Sequence, residues 1–238
     1  MKPAVILLSG GLDSSTLLHY ISKKLGYTVL EALTFQYGQK HARELQCAAW
    51  QAQHLQVRRH QLMDLQALGI LSAEASSLTA RTISVPDLAD LSAEQREQPS
   101  TYVPQRNLVL LALAAAYAES LGSAVVFFGA HLQDQHGYWD CTPAFLERLN
   151  AVLALNRRLA VCLQAPFIHM SKGEIVAQGR VLGVDYAQTW SCYRGGARAC
   201  GTCPACVARR QAFEQNNMLD PLDYDKPAGA LGRRADGA

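Results

Sequence analysis

The chain has 238 residues, 49% hydrophobic and 18% charged, with a net charge of +2. That length suits one α/β domain with a small appendage and a sizeable core; so small a net charge gives no global field for nucleic acid, and no stable nucleic-acid binding is expected. The longest apolar runs, such as 109–118, are too short to span a bilayer, and the N-terminal apolar stretch lacks the length of a signal peptide, so a cytoplasmic location without membrane contact is expected.

Apolar runs of strand length alternate with segments of helical period, the pattern of a parallel sheet covered by helices. Residues 4–8 predict the first strand, and 14–25 a helix with Leu17, Leu18, Ile21 and Leu25 on one face and Gly26 as its stop. A second strand follows at 29–35, a helix at 41–54, and a third strand at 57–63 that carries RRHQ in its middle. From 71 to 100 no period is sustained, and a long functional or mobile loop is expected. Residues 107–121 predict a helix ended by Gly122, and 124–128 a buried strand. Thr142 as N-cap, with Pro143 at the first helical position, opens a helix to about 155. A strand is expected at 159–164, and Ser171 with Glu174 has the capping-box spacing that opens a helix to about 182.

Between the first strand and its helix lies Ser9-Gly10-Gly11-Leu12-Asp13-Ser14. The glycines let backbone N–H groups approach a phosphate, Ser9, Ser14 and Ser15 add hydroxyls, and Asp13 suits a magnesium ion that bridges phosphate oxygens. A plain strand-to-helix turn is the competing reading. Four of the seven cysteines, Cys192, Cys200, Cys203 and Cys206, follow C-x7-C-x2-C-x2-C, which suits one tetrahedral Zn2+; an iron–sulfur cluster or free thiols are the alternatives.

The stretch 129–142 follows a buried strand and so lies at a strand's carboxyl end, where open α/β sheets bind ligands. Its His131, Asp134, His136, Asp140 and Cys141 suit a second metal or ordinary hydrogen bonding; Tyr138 and Trp139 offer faces for a heterocycle or for rim packing, with Asp140 to accept N–H donors. Lys172 opens a helix against its dipole, which a phosphate partner would explain; a solvated lysine is the competing reading. Arg194, Arg198, Arg209 and Arg210 form either a solvated basic face or a phosphate patch.

Together these stretches resemble a known family. SGGLDS (9–14) resembles the pyrophosphate loop of N-type ATP pyrophosphatases; within them, FQYGQKHAREL (35–45), TYVPQRN (101–107), GYWDC (137–141), SKGEI (171–175), LGVDYAQTWSCY (182–193), CGTCPAC (200–206) and DPLDY (220–224) resemble the 7-cyano-7-deazaguanine synthases of queuosine biosynthesis. The resemblance implies an adenine-nucleotide α-hydrolase-like, Rossmann-like α/β fold: a parallel sheet flanked by helices over 1–190, and a zinc-binding helical appendage over 191–238. It implies one structural Zn2+ per chain on the four cysteines, and a homodimer. It also implies a reaction, in which 7-carboxy-7-deazaguanine attacks ATP to give an acyl adenylate, ammonia converts this to the amide, and a second ATP drives dehydration to the nitrile.

Carried onto this chain, the ATP loop is Leu8, Ser9, Gly10, Gly11, Leu12, Asp13, Ser14 and Ser15. Asp13 with Mg2+, Ser14, Lys172 and Arg106 are the catalytic candidates, and Tyr102, Arg106, Tyr138, Trp139 and Asp140 the substrate-binding ones. Where the family pattern resembles GVNAVDYSGYPDCRPEF, this chain has GAHLQDQHGYWDCTPAF, so His131, Gln135, Trp139, Thr142 and Ala144 depart beside the expected deazaguanine pocket. That motivates one alternative, a relative of the antiphage type that adenylates the carboxylate and joins it to another amine, such as a protein N-terminus. A tRNA thiolase and a non-catalytic nucleotide-binding module are alternatives of other classes.

Overall fold

The computed structural model describes residues 3–40 and 43–225. In chain order the elements are β1 (Ala4–Leu7), α1 (Leu12–Lys23), β2 (Leu30–Gln36), α2 (Arg43–His54), β3 (Arg59–Asp64), α3 (Gln66–Leu71), α4 (Ala93–Glu97), α5 (Arg106–Ser120), β4 (Val125–Phe127), α6 (Pro143–Leu153), β5 (Cys162–Gln164), α7 (Lys172–Leu182) and α8 (Pro204–Glu214). The strands form one parallel sheet in the order β3-β2-β1-β4-β5. Connectivity runs outward in opposite directions from β1 and β4, so the crevice between their carboxyl ends is a topological switch point.

Side-chain alternation along β1 sets the layers. Ala4, Ile6 and Leu8 join Leu17, Leu18 and Ile21 of α1, Ile175 and Val176 of α7 and Phe213 of α8 on one face. Val5 and, from β4, Val126 face α5 and α6 on the other, with Leu111, Ala114 and Phe145. The apolar run 109–118 therefore belongs to α5 against the sheet, and no helix of the described residues is long and apolar enough to cross a membrane.

Local chemistry places the helix ends close to where the sequence puts them. Thr142 caps α6, its Oγ1 accepting from the Phe145 N–H at 3.2 Å with Pro143 at N1, and the Ser171–Glu174 capping box opens α7. Removing the α6 cap by Thr142→Ala is expected to cost about 1 kcal/mol of stability, read as a lowered urea midpoint at unchanged slope.

Other expectations are corrected. Leu25 lies beyond the end of α1 and is 42% exposed, because Gly26 takes a positive φ and the Tyr27 N–H returns to the Ile21 carbonyl. The start of α2 expected at 41 falls outside the described residues. The polar RRHQ segment is tolerated because β3 pairs with β2 alone, so it is an edge strand.

The stretch 71–100 is irregular for most of its length but pinned. It contains α4, with its own Ser92–Gln95 capping box; Leu78 is buried, the Ser77 N–H reaches the Ser100 carbonyl at 2.7 Å, and Lys40 and Arg194 hold the Ile83 and Val85 carbonyls.

Neither reading of the four arginines survives. Arg209 is 1% exposed and clamps Asp220 through two bonds (2.8 and 3.0 Å), with further donation to Thr189 and the Tyr186 carbonyl. Arg194 pairs with Asp87, Arg210 lies over the Tyr224 ring, and the exposed Arg198 bonds the Tyr224 carbonyl. Arg194 and Arg209 tie the C-terminal segment to the domain, while Arg198 and Arg210 reach residues within that segment.

Candidate active site

Three helix N-termini converge at the switch point. The first N–H groups of a helix lack intrahelical partners and carry partial positive charge, so their convergence favours an anion. α1, α5 and α7 each contribute a charged side chain from the first turn: Asp13, Arg106 and Lys172. All three line one cavity of about 260 Å³.

The loop from β1 into α1 is fixed by its own serines. Ser14 Oγ accepts from the Ser9 N–H at 3.1 Å and lies 2.9 Å from Ser9 Oγ, which in turn accepts from the Gly11 N–H. Gly10 has φ +81°, and a Cβ there would stand 2.1 Å from the Glu44 carbonyl oxygen of α2, so only glycine fits. The Gly10 carbonyl accepts from the Trp190 N–H at 3.0 Å, which joins this loop to the segment entering the cysteine cluster.

Lys172 Nζ lies 3.1 Å from Asp13 Oδ2. Burial pushes the Asp13 carboxyl up, but Lys172 and then His131 outweigh it and hold it below the usual carboxylate range. Burial likewise disfavours the Lys172 ammonium, and Asp13 and Asp134 outweigh it, so its pKa is raised. The lysine that sits against its helix dipole is thus matched by a carboxylate of this chain, and both ions persist at neutral pH.

Arg106 lines the same cavity and has no salt-bridged carboxylate among the described residues. Its Nη1 donates to the Tyr37 hydroxyl at 3.3 Å, and Tyr138 and Tyr193 stand near it. Burial opposes its charge, and the hydrogen bond it donates to Tyr37 supports it. A cation surrounded by neutral hydroxyls is prepared for an incoming anion.

The substrate candidates separate. Tyr138 lines the cavity; Trp139 and Tyr102 do not. Trp139 is 48% exposed, donates Nε1–H to the Tyr102 hydroxyl at 2.8 Å and packs edge-on against Phe145. Asp140 is buried and its Oδ2 accepts from the Asn107 N–H at 3.1 Å, capping α5, whose own N-cap Gln105 gives no side-chain cap. Its pKa is raised by burial. Through that bond it holds the turn that carries Arg106. Tyr37 and Tyr193, not singled out in the sequence, belong to the cavity as well; the signal for Tyr37 is its place at the carboxyl end of β2, next to β1.

His131 follows β4 with a side chain 2% exposed. Its Nε2 is 3.3 Å from Asp134 Oδ1 and 3.7 Å from Asp13 Oδ2. His136, Asp140 and Cys141 do not join them in a metal-binding group of three or more donors.

The four cysteines do come together. Their sulfurs all lie within 4.8 Å of one another, all four are buried, and Cys200 and Cys206 stand 3.8 Å apart. A tetrahedron with metal–sulfur bonds of 2.3 Å has edges of about 3.8 Å. The Cys203 N–H points at Cys200 Sγ and the Cys200 N–H at Cys192 Sγ, as amides around metal-bound thiolates do. The donor set fits a closed site for a metal ion, with no position left for substrate.

Comparison with known proteins adds the following. The family model for queuosine biosynthesis protein QueC matches residues 3–217. The 7-cyano-7-deazaguanine synthase of Chromohalobacter salexigens is 44% identical over 221 residues, 93% of this chain and 85% of that protein; that of Thermoplasma acidophilum is 43% identical over 230 residues, 94% and 93%. Among solved structures, the NMN synthetase from Francisella tularensis aligns with a TM-score of 0.51 at 15% identity, covering 91% of this chain and 77% of that one, a likeness of fold.

Proposed function

This chain belongs to the QueC family of queuosine biosynthesis proteins, and we propose from that premise that it is an ATP-dependent carbon–nitrogen ligase making 7-cyano-7-deazaguanine from 7-carboxy-7-deazaguanine and ammonia. The observation that carries the reading is the pairing, within one cavity, of a glycine loop at converging helix N-termini with an arginine that no carboxylate of the described residues salt-bridges. The first suits a triphosphate and the second a carboxylate, the two groups that adenylation must bring together.

A carboxylate resists attack by ammonia until one of its oxygens becomes a leaving group. Its oxygen attacks the α-phosphorus, the bond to the bridging oxygen breaks, and pyrophosphate departs. The loop from Leu8 to Ser15 would cradle the departing β,γ-phosphates through its N–H groups and the Ser14 hydroxyl, and Lys172 would meet the negative charge as it develops. Arg106 would hold the carboxylate, with Tyr37 and Tyr138 keeping its guanidinium in place and Tyr138 against the heterocycle. Ammonia then attacks the acyl carbon, AMP leaves and a proton is lost; a second ATP activates the amide oxygen, and loss of AMP and protons gives the nitrile.

Asp13, whose Oδ1 is buried without a hydrogen-bond partner, would hold the Mg2+ that comes with ATP, and that ion supplies neutralisation of phosphate charge. The cysteine cluster would hold one structural Zn2+. We assign residues 1–190 to the catalytic domain and 191–238 to the zinc-binding segment, and propose a cytoplasmic homodimer.

Among the described residues Cys141 is the only cysteine lining the cavity, and burial, followed by Asp134 and Asp140, pushes its thiol well above the ordinary range. That works against the thiolate a tRNA thiolase needs. The deciding experiment is mass spectrometry of the protein incubated with ATP, Mg2+, ammonia and 7-carboxy-7-deazaguanine. The nitrile with AMP and pyrophosphate is the expected result; acyl mass on a protein or another amine would move the assignment to the conjugating alternative.

A further inference from the structure

We infer that His131 is a nitrogen ligand, together with Asp13, for the divalent cation that accompanies the nucleotide; this rests on reading the cavity as an ATP site. Three buried polar atoms in one place lack a hydrogen-bond partner: Asp13 Oδ1, His131 Nδ1 and His131 Nε2. Leaving such atoms unsatisfied costs free energy, so a cluster of them beside the cavity that Asp13 lines calls for a ligand. Lys172 engages Asp13 Oδ2 and leaves Oδ1 available.

Charge points the same way. Asp13 and Asp134 flank the imidazole, and Lys172 supplies the one ammonium beside them. Asp13 and Asp134 stand against the Lys172 ammonium and the Arg209 guanidinium, and a triphosphate bound there adds negative charge that a divalent cation relieves. His131 Nε2 lies 3.7 Å from the Asp13 carboxylate, measured to the oxygen that Lys172 engages, so an ion held on Oδ1 at a bond of about 2.1 Å stands near the imidazole. Two protein ligands are few, which is how cations are held when phosphate oxygens complete the shell.

The consequence is selectivity. Mg2+ takes oxygen ligands and gains little from imidazole, whereas first-row transition ions favour it. The site therefore prefers Mn2+ over Mg2+ more strongly than the all-oxygen site left by His131→Asn.

Pulsed electron paramagnetic resonance of the full, zinc-loaded chain tests this, with Mn2+ and α,β-methylene-ATP bound and the histidines labelled with ¹⁵N so that adenine nitrogens are not counted. A ¹⁵N coupling is expected in the wild type, with its loss in His131→Asn and a drop of about tenfold in the preference for Mn2+ over Mg2+. Bound Mn2+–nucleotide without ¹⁵N coupling in the wild type, or coupling that persists in His131→Asn, overturns the assignment and leaves the ATP site standing. Failure of the nucleotide to bind, followed separately by equilibrium dialysis, overturns the ATP reading and this inference with it.

Discussion

Asp13→Ala lowers pyrophosphate release by about 10³-fold, the loss associated with one preorganised charge at a site of developing charge. The substitution removes the carboxylate that Lys172 faces at 3.1 Å and the oxygen offered to a cation. It also leaves the lysine buried with Asp134 alone to oppose its desolvation. Asp13→Asn separates the two effects: it keeps the shape and an acceptor for Lys172 while weakening the hold on a cation. Steady-state release of pyrophosphate, with circular dichroism to show that each variant is folded, measures both. Undiminished release from Asp13→Ala would refute the role given to this residue.

Asp220→Ala is expected to cost about 3–5 kcal/mol, because it strands the buried Arg209 guanidinium without its counter-ion. Against a total of roughly 5–15 kcal/mol for a folded domain, that is a large share. The loss spreads beyond the pair, since Tyr224 also donates to Asp220, and Arg209 holds Thr189 and the Tyr186 carbonyl next to the segment that reaches Gly10. Asp220→Asn, which keeps oxygen acceptance for Tyr224 and one guanidinium N–H, loses less. Urea denaturation of the two variants orders them, and equal midpoints to wild type would show that the pair contributes nothing.

What was legible in the sequence was local. The Thr142 cap, the Ser171–Glu174 box and the glycine turn after β1 are each written in a few adjacent residues, and the structure places each helix start within two residues of them. The cysteine cluster was legible because its spacing is short and its chemistry narrow. What depends on distant partners was not: Arg194 finds Asp87 across 107 positions, and Asp140 caps α5 from 33 positions away, so one looked like a basic patch and the other like a ligand contact. The cavity draws on the exits of β1, β2 and β4 and on the starts of α5 and α7. Tyr37 and Tyr193 join it through contacts between segments far apart in the chain, which no single stretch encodes.

The bond from the Trp190 N–H to the Gly10 carbonyl has a consequence for how the protein is made. Synthesis delivers β1 and the glycine loop before their partners: the sheet neighbour β4 and the residue that closes the loop arrive more than a hundred positions later. Contacts of such long separation form late. On a growing chain the turn between β1 and α1 therefore stays open on this side until the segment carrying Trp190 has been translated.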